Sequence, residues 1–226
     1  MIGVFSSRRA EWIKRWSELE QVLFISSMFS IGLVLFRIIY TGHFMFLGMV
    51  WNLFLAFIPF ALSRWLFNNK LYGSKLAFLF SLAIWLLFIP NAFYIITDLF
   101  HLKQKPDCPL WYDLALLYSF AWNGLMFGII SVNQMEKMFT NIFNRNYQLL
   151  FIAPVMFLNS FGVYIGRFLR FNSWDIISNP ILLIKDIAYL IIHPLRNKVD
   201  WGMITCYAIL MTLIYLSLKK LSKEIR

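Results

Sequence analysis

The sequence predicts an all-α protein, a polytopic transmembrane bundle of about six spanning helices plus one interfacial or re-entrant helix. Three observations predict it. Hydrophobic residues make up 60% of the 226-residue chain and charged residues only 14%, too apolar throughout for a domain that must cover itself with a polar surface. Six stretches reach the ~20 mainly apolar residues that a helix needs to cross a bilayer. The lysines and arginines between those stretches are distributed unevenly, as they are around membrane spans.

Residues 1–20 read as a cytoplasmic amphipathic segment, because RRAEWIKRWSELE (residues 8–20) is basic and places Trp12 and Trp16 at spacing four. The first span covers residues 21–40; with no small-x-small cleavage site after the apolar run, it reads as a retained helix rather than a removed signal. The following spans are residues 44–62, 75–96, 114–133, 149–166 and 199–218. The connection 167–198 holds a seventh apolar run, residues 181–192, interrupted by Lys185 and Asp186 and too short to cross. Without low-complexity stretches or flexible linkers, residues 1–226 form one membrane domain. The segments 97–113 and 167–198 lie on one side of it.

With the N-terminus inside, 13 of the 21 basic residues fall on the cytoplasmic side: Arg8, Arg9, Lys14, Arg15, Arg64, Lys70, Lys75, Lys137, Arg145, Lys219, Lys220, Lys223 and Arg226. Both termini are therefore expected in the cytoplasm. Arg37, near the outer end of the first helix, is expected to snorkel to the interface. In this topology all six aspartates and all three histidines fall outside, and all five glutamates inside. The net charge of +10 needs no nucleic-acid partner, since anionic headgroups of the inner leaflet attract the same lysines and arginines. Cys108 in an outer loop and Cys206 within the last span make neither a disulfide framework nor a metal knuckle. Phosphate-loop, zinc-protease and nucleophile-elbow motifs are absent.

Polar residues gather instead at the outer ends of the third and fifth spans. Asn91, Tyr94, Asp98 and His101 recur at spacings of three and four, which aligns them on one stripe of a helix. Pro90 frees a backbone carbonyl just below, and Asn91 is placed to occupy it. On the fifth helix Ser160, Tyr164 and Arg167 share a face, followed by Arg170, Asn172, Ser173, Trp174 and Asp175. Both helices run outward, so the expected site is an outer cluster of Asp98, His101, Asp113, Arg167, Arg170 and Asp175. Its candidate catalytic groups are Asp98, His101 and Asp113, because a carboxylate and an imidazole on one face suit acid/base work. Its candidate binding groups are Arg167 and Arg170, whose guanidinium forks suit phosphate or carboxylate, with Asn91, Tyr94, Asn172, Trp174 and Asp175 orienting them. Pairing of the arginines with Asp98 or Asp175 would equally satisfy the charges. No metal site is predicted, since Asp98 and His101 alone are two ligands.

Trp111, Tyr112 and Trp174 also suit an aromatic belt at the membrane surface. Asn52, Asn123 and Asn133 read as interhelical hydrogen bonders, and Gly124-x-x-x-Gly128 as a close-packing patch within the bundle.

At Pro90-Asn91-Ala92, Tyr94, Thr97-Asp98-Leu99, His101-Leu102, Trp111-Tyr112-Asp113, Gly166-Arg167-Phe168 and residues 170–175, the chain resembles the bacterial integral membrane proteins known as domain of unknown function 1361. Proline is common in that family where this chain has Phe93. The resemblance implies a multi-pass protein of the bacterial plasma (inner) membrane and supplies no reaction or cofactor. Three functions stay open: binding or processing of an anionic lipid or lipid-linked headgroup, transport of a small solute, and structural assembly with an envelope protein. The lipid bilayer is the only partner the sequence itself specifies.

Overall fold

The structure, a computed structural model, describes residues 17–70, 73–104, 106–143, 148–171 and 175–224. Its elements are α1 (Glu18–Thr41), α2 (Leu47–Asn69), α3 (Lys75–Tyr94), a 3-10 helix (Ile95–His101), α4 (Leu110–Phe143), α5 (Gln148–Arg167), α6 (Asp175–Ser178), α7 (Pro180–Ile192) and α8 (Lys198–Glu224). Six are long and apolar enough to cross a membrane: α1, α2, α3 with its 3-10 extension, α4, α5 and α8. Helices are the natural solution here, because a lipid-exposed backbone must satisfy its own hydrogen bonds. α7, with 13 residues, spans only about 20 Å and is too short to cross.

The residues at the helix ends explain several boundaries. Ser17 caps α1: its Oγ accepts the Glu20 N–H at 3.4 Å while Glu20 Oε2 accepts the Ser17 N–H at 2.8 Å, a reciprocal capping box. Glu18 to Glu20 therefore open the spanning helix rather than close a surface segment; residues 1–16, the bulk of the predicted amphipathic segment, lie outside the described residues. Gly42 ends α1 at φ 70°, its N–H donating to the Ile38 carbonyl at 2.8 Å, the left-handed cap that glycine adopts without a Cβ penalty. Ser74 caps α3 with a single bond, its Oγ accepting the Ala77 N–H at 3.1 Å.

Burial ranks the helices. The apolar window of α4 is 61% buried, against 22% for α8 and 28% for α1, so α4 is the central post. α1, α2, α3 and the 3-10 helix all pack on it, while α5 packs on α3 and α8. Small residues permit the closest approaches. A Cβ on Gly124 would meet the Ala92 carbonyl at 2.8 Å, one on Gly128 would meet the Phe93 ring at 2.6 Å, and one on Gly162 would strike the Pro90 ring. The end of α3 is thus wedged between α4 and α5, and the Gly124/Gly128 pair works within the bundle as its spacing predicts.

Two expectations change here. The third span is α-helical only to Tyr94 and then tightens into the 3-10 helix. Thr97 Oγ1 donates to the Tyr94 carbonyl at 2.6 Å, so the hydroxyl helps satisfy the junction. In a 3-10 helix residues i and i+3 eclipse and the rise is about 2 Å per residue rather than about 1.5 Å, which puts Asp98 and His101 directly in line and carries them slightly farther along the axis. The second change is Arg37. It does not snorkel; it is 3% exposed and pairs with Asp113 on α4. The carboxylate 76 positions away satisfies the guanidinium inside the protein, which removes the reason to reach for water.

Pro59, Pro90 and Pro154 each lie inside a helix that continues past them. Hydroxyls and an indole fill the interior around Pro59: Ser131 Oγ donates to the Pro59 carbonyl at 2.9 Å, accepts Trp85 Nε1 at 2.7 Å and lies 2.8 Å from Ser63 Oγ. At the end of the bundle opposite Asp98, Lys219 Nζ donates to both Glu136 oxygens at 2.6 Å, and the Tyr215 hydroxyl donates to the same carboxylate.

Candidate functional site

α3, α5 and the start of α2 meet at one end of the bundle, and the polar stripe of α3 faces the last turn of α5 there. The wedge between Gly162 and Pro90 sets the distance: Tyr94, one turn beyond Pro90, lies with its ring 3.4 Å from where a Cβ on Gly166 would stand. That close approach brings Arg167 over the 3-10 helix.

Arg167 is the hub. Its Nη1 donates to Asp98 Oδ1 at 3.2 Å and to the Tyr94 hydroxyl at 3.3 Å, and its Nη2 lies 3.1 Å from His101 Nε2. The guanidinium carbon also stands over the rings of Phe100, at 5.4 Å, and Tyr94, at 5.7 Å, where a cation meets the negative face of the π system. Asp98 is 3% exposed, and its second oxygen accepts Asn52 Nδ2 from α2 at 3.0 Å. Three helices thus converge on one carboxylate. A buried charge is tolerated when it is paired and hydrogen-bonded, and Asp98 has both.

The predicted outer cluster divides. Asp98, His101, Tyr94 and Arg167 come together. Asp113 does not join them: Arg37 holds it in a bidentate pair, Nε to Oδ1 at 2.7 Å and Nη2 to Oδ2 at 3.2 Å, with the guanidinium 4.7 Å from the Phe46 ring. Asp175 accepts Ser178 Oγ at 2.8 Å within its own short helix. Asn91 donates to the Phe88 carbonyl at 3.0 Å, one turn back, rather than to the carbonyl of residue 86 that Pro90 frees. Asn172 and Trp174 lie outside the described residues. Among the described residues no group of three potential metal ligands forms.

Arg170 is exposed and sits at φ 61°, in the left-handed region that costs a non-glycine residue about 1 to 2 kcal/mol. Its conformation turns the chain after α5, and the next N–H, of Phe171, donates back to the Ile165 carbonyl at 3.3 Å. Phe168, two residues earlier in the chain, is exposed, as is Phe100, which lies under the Arg167 guanidinium.

Asn52 is the member of the cluster that sequence reasoning placed only as an interhelical hydrogen bonder. That role holds, and its partner turns out to be the site's own carboxylate. Only the facing of α2 against the 3-10 helix reveals this, since residues 52 and 98 lie 46 positions apart. Tyr112, expected in an aromatic belt, donates to the Leu33 carbonyl at 2.8 Å and stitches α4 to α1.

Fold and site together define a multi-pass, all-α membrane protein with an arginine hub at one end of the bundle. The family model described as "Protein of unknown function (DUF1361)" matches residues 51–214, 164 of the 226 residues, and the chain belongs to that family. The match takes in Asn52, Tyr94, Asp98, His101 and Arg167. No curated protein and no solved structure matches the chain.

Proposed function

We propose that the chain sits in a bacterial plasma membrane with both termini in the cytoplasm, and that the Asp98 end binds an anionic headgroup of a lipid or lipid-linked molecule at the outer leaflet. The observation that carries this reading is Arg170: an exposed arginine, without an ion-pair partner among the described residues, held in a strained left-handed conformation. A flexible guanidinium three residues beyond Arg167, close in the chain to exposed Phe168, suits a phosphate or carboxylate.

Arg167 supplies the second contact. Of its five N–H donors, three are used by Asp98, Tyr94 and His101. The other two are available to a ligand oxygen, and the bonded three hold the fork in place beforehand. Asp98 acts here as the anchor of Arg167. Both its oxygens are engaged, which suits a positioning role better than proton abstraction, so binding is favoured over catalysis. Transport draws less support, since each helix continues past its proline and the buried charges sit toward the helix ends.

The test is native mass spectrometry of protein extracted with its lipids, wild type beside Arg170→Ala. Retention of an anionic lipid by the wild type and its loss from the variant is expected. Equal lipid occupancy in both would overturn the reading and leave Arg167 as a structural pin.

A further inference from the structure

Resting on the headgroup reading, the contact between Arg167 and His101 adds a control to the site. An arginine guanidinium has only donors. At 3.1 Å from Arg167 Nη2, His101 Nε2 must therefore be the acceptor, with the ring neutral and its proton on Nδ1. We propose that His101 is a protonation gate on Arg167: the neutral ring ties up one arginine N–H, and a protonated ring releases it and adds a second positive charge to the anion site.

The geometry makes the two states distinct. Protonation puts a hydrogen on the only His101 nitrogen that faces Arg167, so the bond cannot survive and the pair becomes two cations in contact. His101 is exposed, so its ring can swing away while Arg167 stays tied to Asp98 and Tyr94. Among the described residues, the charged groups that interact with His101 are Arg167 from α5 and Asp98 from its own helix. α2 contributes the uncharged Asn52, and the α4 carboxylate Asp113 is already engaged by Arg37. The Asp98 charge is shared with Asn52 and Arg167, so it can hold Arg167 in either state. Histidine is the side chain that ordinarily changes charge between pH 5 and 8. Anionic headgroups should accordingly bind more tightly once the ring is protonated, because the ligand gains one released donor and one added cation.

The experiment measures binding of short-chain phosphatidylglycerol to the purified protein in uncharged detergent micelles at pH 7.5 and 5.5, for the wild type and His101→Gln. A diester phosphate keeps one charge over this range, so any change comes from the protein. One added charge-assisted hydrogen bond corresponds to about tenfold in affinity. The wild type should bind about tenfold more tightly at pH 5.5, and His101→Gln, which can accept from Arg167 at either pH, should show no such gain. A wild-type affinity that is equal at both pH values, or a gain that persists in His101→Gln, would overturn the gate. A separate measurement keeps the gate testable without any lipid binding: the side-chain nitrogen spectrum of histidine-labelled protein at pH 7.5. Protonated Nδ1 and a bare, accepting Nε2 at His101, lost in Arg167→Ala, support the gate; a protonated Nε2 refutes it. Absence of lipid binding with the expected nitrogen spectrum would remove the headgroup reading and leave the His101–Arg167 contact standing.

Discussion

Replacing Asp113 by alanine tests the most deeply buried charge pair in the described structure. Arg37 and Asp113 are joined by two hydrogen bonds, at 2.7 and 3.2 Å, with side chains 3% and 2% exposed. Nη1 of Arg37 is buried without a partner even in the intact protein. Asp113→Ala would strand the rest of the guanidinium in the same place. Removing one partner of a buried pair costs about 3 to 5 kcal/mol, because the other charge is left uncompensated. In a membrane the unfolded reference is the inserted helix, from which Arg37, four residues before the end of α1, can snorkel to water. That alternative makes leaving the fold easier, so the full ~3 kcal/mol or more should appear as lost stability, a large share of the ~5 to 15 kcal/mol that holds a typical domain. The double variant Arg37→Met, Asp113→Leu should recover most of the loss, since apolar side chains of similar volume remove the stranded charge. Unfolding in mixed micelles of increasing sodium dodecyl sulfate, followed by near-ultraviolet circular dichroism, measures both. An Asp113→Ala protein with wild-type stability, or a double variant no better than the single, would refute the reasoning.

Other outcomes follow from the same physics. Asn52→Ala should destabilise the fold by about 1 to 3 kcal/mol by taking a donor from buried Asp98, and Asn52→Asp should do worse by setting two carboxylates against each other; both are read by the same unfolding assay. Gly162→Ala should cost about 1 to 3 kcal/mol, because the new methyl strikes the rigid Pro90 ring. Gly202→Ala, where nothing lies within 4 Å of the added carbon, should unfold like the wild type. Lys219→Met should cost about 1.5 to 3 kcal/mol by leaving Glu136 with the Tyr215 hydroxyl as its remaining donor, and adding Glu136→Gln should restore most of it. Arg170→Gly should relax the left-handed turn and keep the fold while losing the lipid in native mass spectra.

Much of the cluster's chemistry was legible in the chain, and its pairing was not. Spacings of three and four put Asp98 and His101 on one face, and either an α-helix or a 3-10 helix keeps residues i and i+3 close, so that expectation survived the change of helix type. Pairing of Arg167 with Asp98 was one of two alternatives open in the sequence. The choice depends on how far α5 slides along α3, and the contact of Gly162 with Pro90 fixes that. Asp113 was drawn into the cluster because its loop belongs to the same end of the bundle. It left the cluster because Arg37, whose side chain was expected to snorkel toward water, faced it across the α1–α4 seam.

Run length and polarity alone determined that this chain makes six spanning helices and which end collects aspartate and histidine, while α4 continues to Phe143, well past the Asn133 at which the apolar run stops. These are local properties, since a helix in lipid satisfies its backbone within its own segment and its apolar length is set by the bilayer. Tertiary structure decided which charge meets which: Arg37 with Asp113, Asn52 and Arg167 with Asp98, Lys219 with Glu136, at separations of 46 to 83 positions. Those pairings depend on the rotation and slide of one helix against another. In membranes small residues and polar contacts set both, and no periodicity within a single helix encodes what the neighbouring helix will present.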